Sequence, residues 1–360
     1  MISFSEVEQI YKGFLKYFTS KGYILCDSEP IMPTRDKTIA FTNATIVPLK
    51  TFFTKSYQSP GFVVYQPCIR LRNIVSDNFD GPFTSFFRMV SILVHPDVKL
   101  SKIQEEISEY LKNILGVPNN KIIIHSNKLT SDLVGSWSEK YELVCDKFDG
   151  KFYKWNYGFD GVKGRGVTFF IKLENESREL GNFVEITKDG KIIGYEFGFG
   201  IESCIGTLKG CQNNFEVLFG KNINKKLSDI TCVRAVIESS LMTNKNKISS
   251  TTKASIRKVD CELVYAICEF ENGNCSYIRN INWSIIDIKP EVIESLIFYL
   301  EKKINQVKFD IKLLNDYKKY IFRMTESGKK QDWADKKMND YIHKNNYYKI
   351  VSLINKNISL

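Results

Sequence analysis

No run of about 18 apolar residues occurs in this 360-residue sequence, which argues against a membrane-spanning helix. The opening MISFSEVEQIYKGF carries acids and helical spacing in place of a basic start followed by an apolar stretch, so no signal peptide is expected. Histidine is scarce: His95, His125 and His343 are the three present, and none forms an H-x-x-x-H pair. The nine cysteines (Cys26, Cys68, Cys145, Cys204, Cys211, Cys232, Cys261, Cys268, Cys275) are odd in number, scattered and free of any CxxC pair. That pattern argues against a zinc site and for a reducing cytoplasmic setting.

What is there suits an ordinary globular chain. Hydrophobic residues make up 43% and charged residues 26%, and the length is enough for two domains. The formal net charge is +10. A basic surface concentrates phosphate polyanions, but a lysine-rich composition produces the same number, so charge leaves function open.

Along the chain, Val7, Ile10, Tyr11, Phe14, Leu15 and Phe18 keep helical spacing, and Gly22 follows as a stop; the spacing predicts a helix over residues 5–20. Short runs rich in β-branched and aromatic residues, FVVY and FFRMVSILV, predict strands within 39–91. A helix is expected over 103–116 and a strand at 121–124. The most β-rich stretch is 151–200, where Asp189-Gly190 is a two-residue hairpin signal, so an antiparallel sheet is expected at the centre of the first domain. After about residue 220 the spacing turns helical, with Pro290 where a long helix would start. Lys302, Lys303, Lys308, Lys312, Lys318 and Lys319 decorate that helix, as a solvated face or as a contact for nucleic acid.

Several segments, taken in order, carry a family pattern. Phe14–Phe53 contains Pro33, Asp36, Thr38, Phe41, Thr42, Asn43, Ala44 and Lys50 in register with V-P-x-x-D-x-T-L-L-F-T-N-A-G-M. Gln66-Pro67-Cys68-Ile69-Arg70 resembles Q-R-C-V-R, and Ser85-Phe86-Phe87-Arg88-Met89 resembles T-F-F-E-M. Trp155-Asn156-Tyr157-Gly158, with Gly161, Gly164 and Gly166, resembles a glycine-rich W-x-x-G region, and Glu179-Leu180-Gly181-Asn182-Phe183-Val184 resembles E-I-W-N-I-V. Gly194 to Glu202 resembles V-D-T-G-M-G-L-E-R. In this order they resemble alanyl-tRNA synthetases, with looser similarity continuing through Ser228–Leu241 and Ala254–Lys258.

The resemblance implies an α+β fold: a class II synthetase-type antiparallel sheet flanked by helices over residues 1–220, then an all-helical, tRNA-binding domain over 221–360. It implies ATP and Mg2+ as cofactors, an amino acid and tRNA or aminoacyl-tRNA as partners, and no membrane. By carry-over, Arg70 holds the α-phosphate, Glu196 takes the α-ammonium and Asn182 faces the substrate. Met89, Trp155, Gly158, Phe183, Gly198, Phe199 and Gly200 line the pocket. Arg70, Arg72, Asp77, Arg88 and Glu202 serve the nucleotide, and Arg234, Arg257 and Lys258 the tRNA. A fixed guanidinium suits charge that builds as a carboxylate attacks phosphorus.

The chain also departs from the pattern. Ser203 replaces the final arginine, Leu93 the stacking aromatic, Ile74 a loop lysine and Arg88 the acid of F-F-E-M. Losing one charge-assisted phosphate contact costs roughly 1.5 to 3 kcal/mol. Three readings therefore stay open: a stand-alone ligase that activates an amino acid with ATP, an ATP-independent relative that binds tRNA or aminoacyl-tRNA, and a structural partner or regulator of another synthetase. The metal-binding editing module of the family is not expected.

Overall fold

The structure is a computed structural model that describes residues 2–34, 36–53, 57–71, 74, 82–146, 150–158, 160–221, 223–243, 248–345 and 347–355. The predicted opening helix is α1 (Phe4–Ser20), whose start is closed by a capping box between Ser3 and Glu6. Val7, Phe14 and Phe18, one helical face, are its buried residues. Gly22 follows at φ 93°, a left-handed value that glycine reaches without a Cβ penalty.

A nine-stranded sheet forms the first unit's core. Its strands are β1 (Ile24–Cys26), β2 (Gly61–Ile69), β3 (Phe86–Val94), β4 (Ile122–Asn127), β5 (Glu142–Asp146), β6 (Lys154–Asn156), β7 (Val162–Lys172), β8 (Ser177–Lys188) and β9 (Lys191–Gly200). The order is β1-β2-β3-β9-β8-β7-β4-β5, with β6 on β7. The expected antiparallel centre is present, from β2 through β7, whereas the edges differ: β1 pairs with β2, and β5 with β4, in parallel. Asp189 (φ 50°) and Gly190 (φ 80°) make the tight β8–β9 hairpin that their dipeptide predicts.

The two faces of this sheet hold different layers. One packs Phe169, Phe183, Phe197 and Phe199 beneath α1 and Trp137: Phe14 meets Phe199 edge-on at 5.6 Å, and Trp137 meets Phe183 at 5.2 Å. The other carries Phe62, Val64, Leu93, Val184 and Ile186 against α2 (Ile46–Leu49) and Phe53. Helix α3 (Leu100–Glu109) continues as a π-helical turn, Tyr110–Ile114, which together cover most of the predicted 103–116 helix. After β9 come α4 (Ile201–Leu208) and α5 (Asn214–Phe219).

The remaining elements are helical: α6 (Lys225–Thr243), α7 (Ser250–Glu271), α8 (Pro290–Glu326), α9 (Gln331–Asn345) and α10 (Tyr348–Asn355). Pro290 occupies the first turn of α8, as its missing N–H permits. The chain divides into two compact units. The first comprises 1–223 with 246–252 and 284–287; the second comprises 224–245, 253–283 and 288–360. In the second unit, Leu314 of α8, Ile350 of α10 and Tyr347, just before α10, form a core. No helix among the described residues is long and apolar enough to cross a membrane.

Candidate functional site

Strand register decides which predicted site residues share a surface, because directly opposed residues in an antiparallel pair point to the same face. Met89 opposes Gly200, Ser91 opposes Gly198, and Leu93 opposes Glu196. Asn182 opposes Gly198, Val184 opposes Glu196, and Thr168 opposes Asn182. Trp155 opposes Gly164, which opposes Ile186. Met89, Trp155, Asn182, Glu196, Gly198 and Gly200 therefore lie on one face.

Arg70 joins them. It follows β2 immediately, and its backbone N–H extends the ladder by donating to Ser85 O at 2.8 Å. Its guanidinium lies over the Phe87 ring at 4.8 Å, donates from Nε to Asn43 O at 2.9 Å, and places Nη2 4.0 Å from Met89 Sδ. Phe87 and Met89 are on the shared face, and so is Arg70. From Gly200, beside Met89, to Glu196 is four residues of strand, about 13 Å.

Glycines keep the floor between them low. A Cβ on Gly198 would sit 2.7 Å from Ser91 Cβ and 2.8 Å from Val90 O. One on Gly164 would meet Val184 Cγ1 at 2.7 Å and Tyr157 Cε2 at 3.0 Å, so glycine is what lets Tyr157 and Trp155 lie close over the sheet. The result is a trough with Arg70 at one end and Glu196 at the other, bordered by Asn182 on β8.

Glu196 sits at the rim of the apolar cluster of Phe62, Leu93 and Val184. Tyr157 Oη donates to its Oε2 at 3.0 Å, and Thr45 Oγ1 to its Oε1 at 3.3 Å. Burial pushes the carboxyl above its ordinary pKa, while the Tyr157 and Thr45 bonds pull the other way. Near Asn182, Thr168 Oγ1 donates to Oδ1 at 2.8 Å and Nδ2 donates to Glu179 at 3.2 Å; burial raises the Glu179 carboxyl as well. Sequence reasoning missed Thr45, Tyr157, Thr168 and Glu179. Two of them lay in view, Tyr157 inside W-N-Y-G and Glu179 at the head of E-L-G-N-F-V.

Other predicted residues go elsewhere. Phe183 and Phe199 point to the opposite face, 0% and 1% exposed in the aromatic layer, because each is one residue out of phase with Asn182, Gly198 and Gly200. Arg88, next to Met89, is on that opposite face too. It is 2% exposed and paired at 2.7 Å with Glu202, itself fully buried. Glu202 also accepts from the Arg88 backbone at 2.8 Å, and Arg88 Nη1 donates to Ile285 O at 2.9 Å. Ser203 Oγ accepts from Asn214 at 3.1 Å. Gly158, φ 75°, is an exposed turn after β6. Arg72 and Asp77 lie outside the described residues.

In the second unit Arg234 is 3% exposed and clamped by Asp260 at 2.6 Å and Glu238 at 2.8 Å. Tyr299 donates to the same Asp260 at 2.7 Å. Arg257 and Lys258 are exposed on α7. Among the described residues no three His, Cys, Asp or Glu side chains come together as a metal site. Glu202, engaged by Arg88, does not fit an Mg2+ ligand.

Residues 9–165 match the family model described as tRNA synthetases class II (A). An alanine–tRNA ligase of Hydrogenovibrio crunogenus is 24% identical over 268 residues, covering 65% of this chain and 31% of that protein. One from Thermotoga maritima is 24% identical over 265 residues, covering 63% and 30%. The matched region thus spans about three-tenths of the length of these relatives. Among solved structures, apo histidyl-tRNA synthetase of S. aureus overlaps with a TM-score of 0.38 at 13% identity, covering 56% of this chain and 65% of that one. The aspartyl tRNA synthetase of Entamoeba histolytica overlaps at 0.38 and 11%, covering 59% and 56%. The family match and the curated relatives agree: the chain is similar to alanyl-tRNA synthetases, and residues 9–165 match a class II tRNA synthetase domain.

Proposed function

We propose that the trough binds an amino acid, with its ammonium group at Glu196 and its carboxylate toward Arg70, and activates it with ATP for transfer to tRNA. The observation that carries this reading is the shared face: an anion and a cation stand at opposite ends of one glycine-floored strand surface, matching a zwitterion extended by a phosphate. In the first step a carboxylate oxygen attacks the α-phosphorus, the bond from that phosphorus to the α,β-bridging oxygen breaks and pyrophosphate leaves. Arg70 neutralises charge that builds on the phosphoryl oxygens. In the second step a tRNA hydroxyl attacks the acyl carbon and AMP leaves. Arg257 and Lys258, exposed on α7, supply phosphate contacts that position the RNA without reading bases. The chain works in the cytoplasm in this reading.

A second reading, binding of tRNA or aminoacyl-tRNA without adenylation, is favoured by a specific observation. Two positions associated with nucleotide binding point no arginine into the trough: Ser203 is bonded to Asn214, and Arg88 is buried with Glu202 on the opposite face. ATP–pyrophosphate exchange with each amino acid, beside gel-shift binding of bulk tRNA at two salt concentrations, separates the two. Exchange that vanishes in Arg70→Ala supports activation. Salt-sensitive RNA binding without exchange supports the second reading and overturns the first.

A further inference from the structure

Thr45 and Tyr157 reach Glu196 from two separate segments, Thr45 from just before α2 and Tyr157 from the turn after β6. Each serves a different oxygen: Thr45 Oγ1 lies 3.3 Å from Oε1 and Tyr157 Oη 3.0 Å from Oε2. Both are enclosed, Thr45 fully and Tyr157 to 9% exposure, and the rest of the surround is apolar. Tyr157 is the titratable group facing the carboxyl among the described residues; β3 and β8 present Leu93 and Val184. In the alanyl-type pattern position 45 is glycine and position 196 aspartate. A glycine has no hydroxyl to give, and an aspartate would end one methylene short of this one. The two departures complement each other across 151 residues of sequence.

We propose that Thr45 and Tyr157 are positioning residues for Glu196, fixing its carboxylate with one hydroxyl per oxygen so that the remaining lone pairs receive a ligand's ammonium group. The ammonium half of this statement rests on the function proposed above. The hydroxyls matter because an apolar surround favours the neutral acid, and a neutral acid offers an ammonium group no charge.

The test uses the full chain with Tyr157→Phe and Thr45→Val, and Thr45→Ser as the variant that keeps the hydroxyl. Glutamate carboxyls are titrated by carbon-13 NMR without ligand, Glu196 being assigned from Glu196→Gln, and amino-acid KM and kcat of exchange are followed against pH. Both hydroxyl deletions move the Glu196 titration to higher pH. They raise KM roughly tenfold at acidic pH with kcat held within about twofold, as loss of one bond to a charged acceptor implies. Thr45→Ser behaves as wild type. A titration that neither deletion moves overturns the positioning role, whatever the exchange assay gives. Shifted titration in a chain that exchanges no amino acid keeps the positioning role and sinks the ammonium reading.

Discussion

The two faces of the central sheet come from the same strands, yet they are built on opposite terms. On β9, Phe197 and Phe199 fill the layer beneath α1, while the alternating Glu196, Gly198 and Gly200 leave a low, polar trough on the other side. A strand's period of two lets one stretch of ten residues serve a core and a site at once. The polar groups divide as well: the opposite face pairs its charges, Arg88 with Glu202 and Arg165 with Glu185, and the trough keeps Arg70 exposed.

Substitutions on each face should separate stability from ligand handling. Phe199→Ala removes a large buried ring and is expected to cost about 3 to 5 kcal/mol in urea unfolding. Arg88→Ala, which strands Glu202, costs a similar ~3 to 5 kcal/mol, whereas Arg88→Met with Glu202→Leu recovers much of it. Substantial loss of exchange activity in a correctly folded Arg88→Met/Glu202→Leu chain would break the division of labour. In the trough, Arg70→Ala is expected to lower exchange about 100-fold or more while leaving the urea midpoint nearly unmoved.

The trough also has a pH signature. Glu196's carboxyl is raised in the fold, so its contribution to stability is complete below the unfolded carboxyl pKa and is lost as pH rises through the folded value. Glu196→Gln escapes that loss. Its stability relative to wild type should improve as pH rises above the unfolded carboxyl pKa of about 4, in unfolding experiments without ligand. The smallest effect belongs to the second unit: Arg257→Ala and Lys258→Ala should each reduce the salt slope of tRNA binding by about one, with little change in stability.

Much of the fold was legible because periodicity and turn chemistry are local. Phe14 and Phe18 mark α1, Asp189-Gly190 marks the hairpin, and Pro290 opens α8. The parallel edges were not, since a strand as short as Ile24–Cys26 has no alternation to read. In the site, residue order in the family pattern picked out Arg70, Asn182 and Glu196, all on the trough face. It also named Phe183 and Phe199, because a motif lists neighbours along the chain without saying which face each one takes. Arg88 was misleading for the same reason. Its partner Glu202 and its carbonyl contact at Ile285 lie 114 and 197 residues away, beyond any local signal.

That last contact governs how the protein must be made. Arg88 donates to Ile285, within a four-residue segment that packs with the sheet unit although helical sequence intervenes. During synthesis the acceptor for Arg88 Nη1 leaves the ribosome some two hundred residues after Arg88 itself. A fragment cut after β9 and its two following helices would keep Glu202 beside Arg88 and lack the second acceptor of its guanidinium, the Ile285 carbonyl.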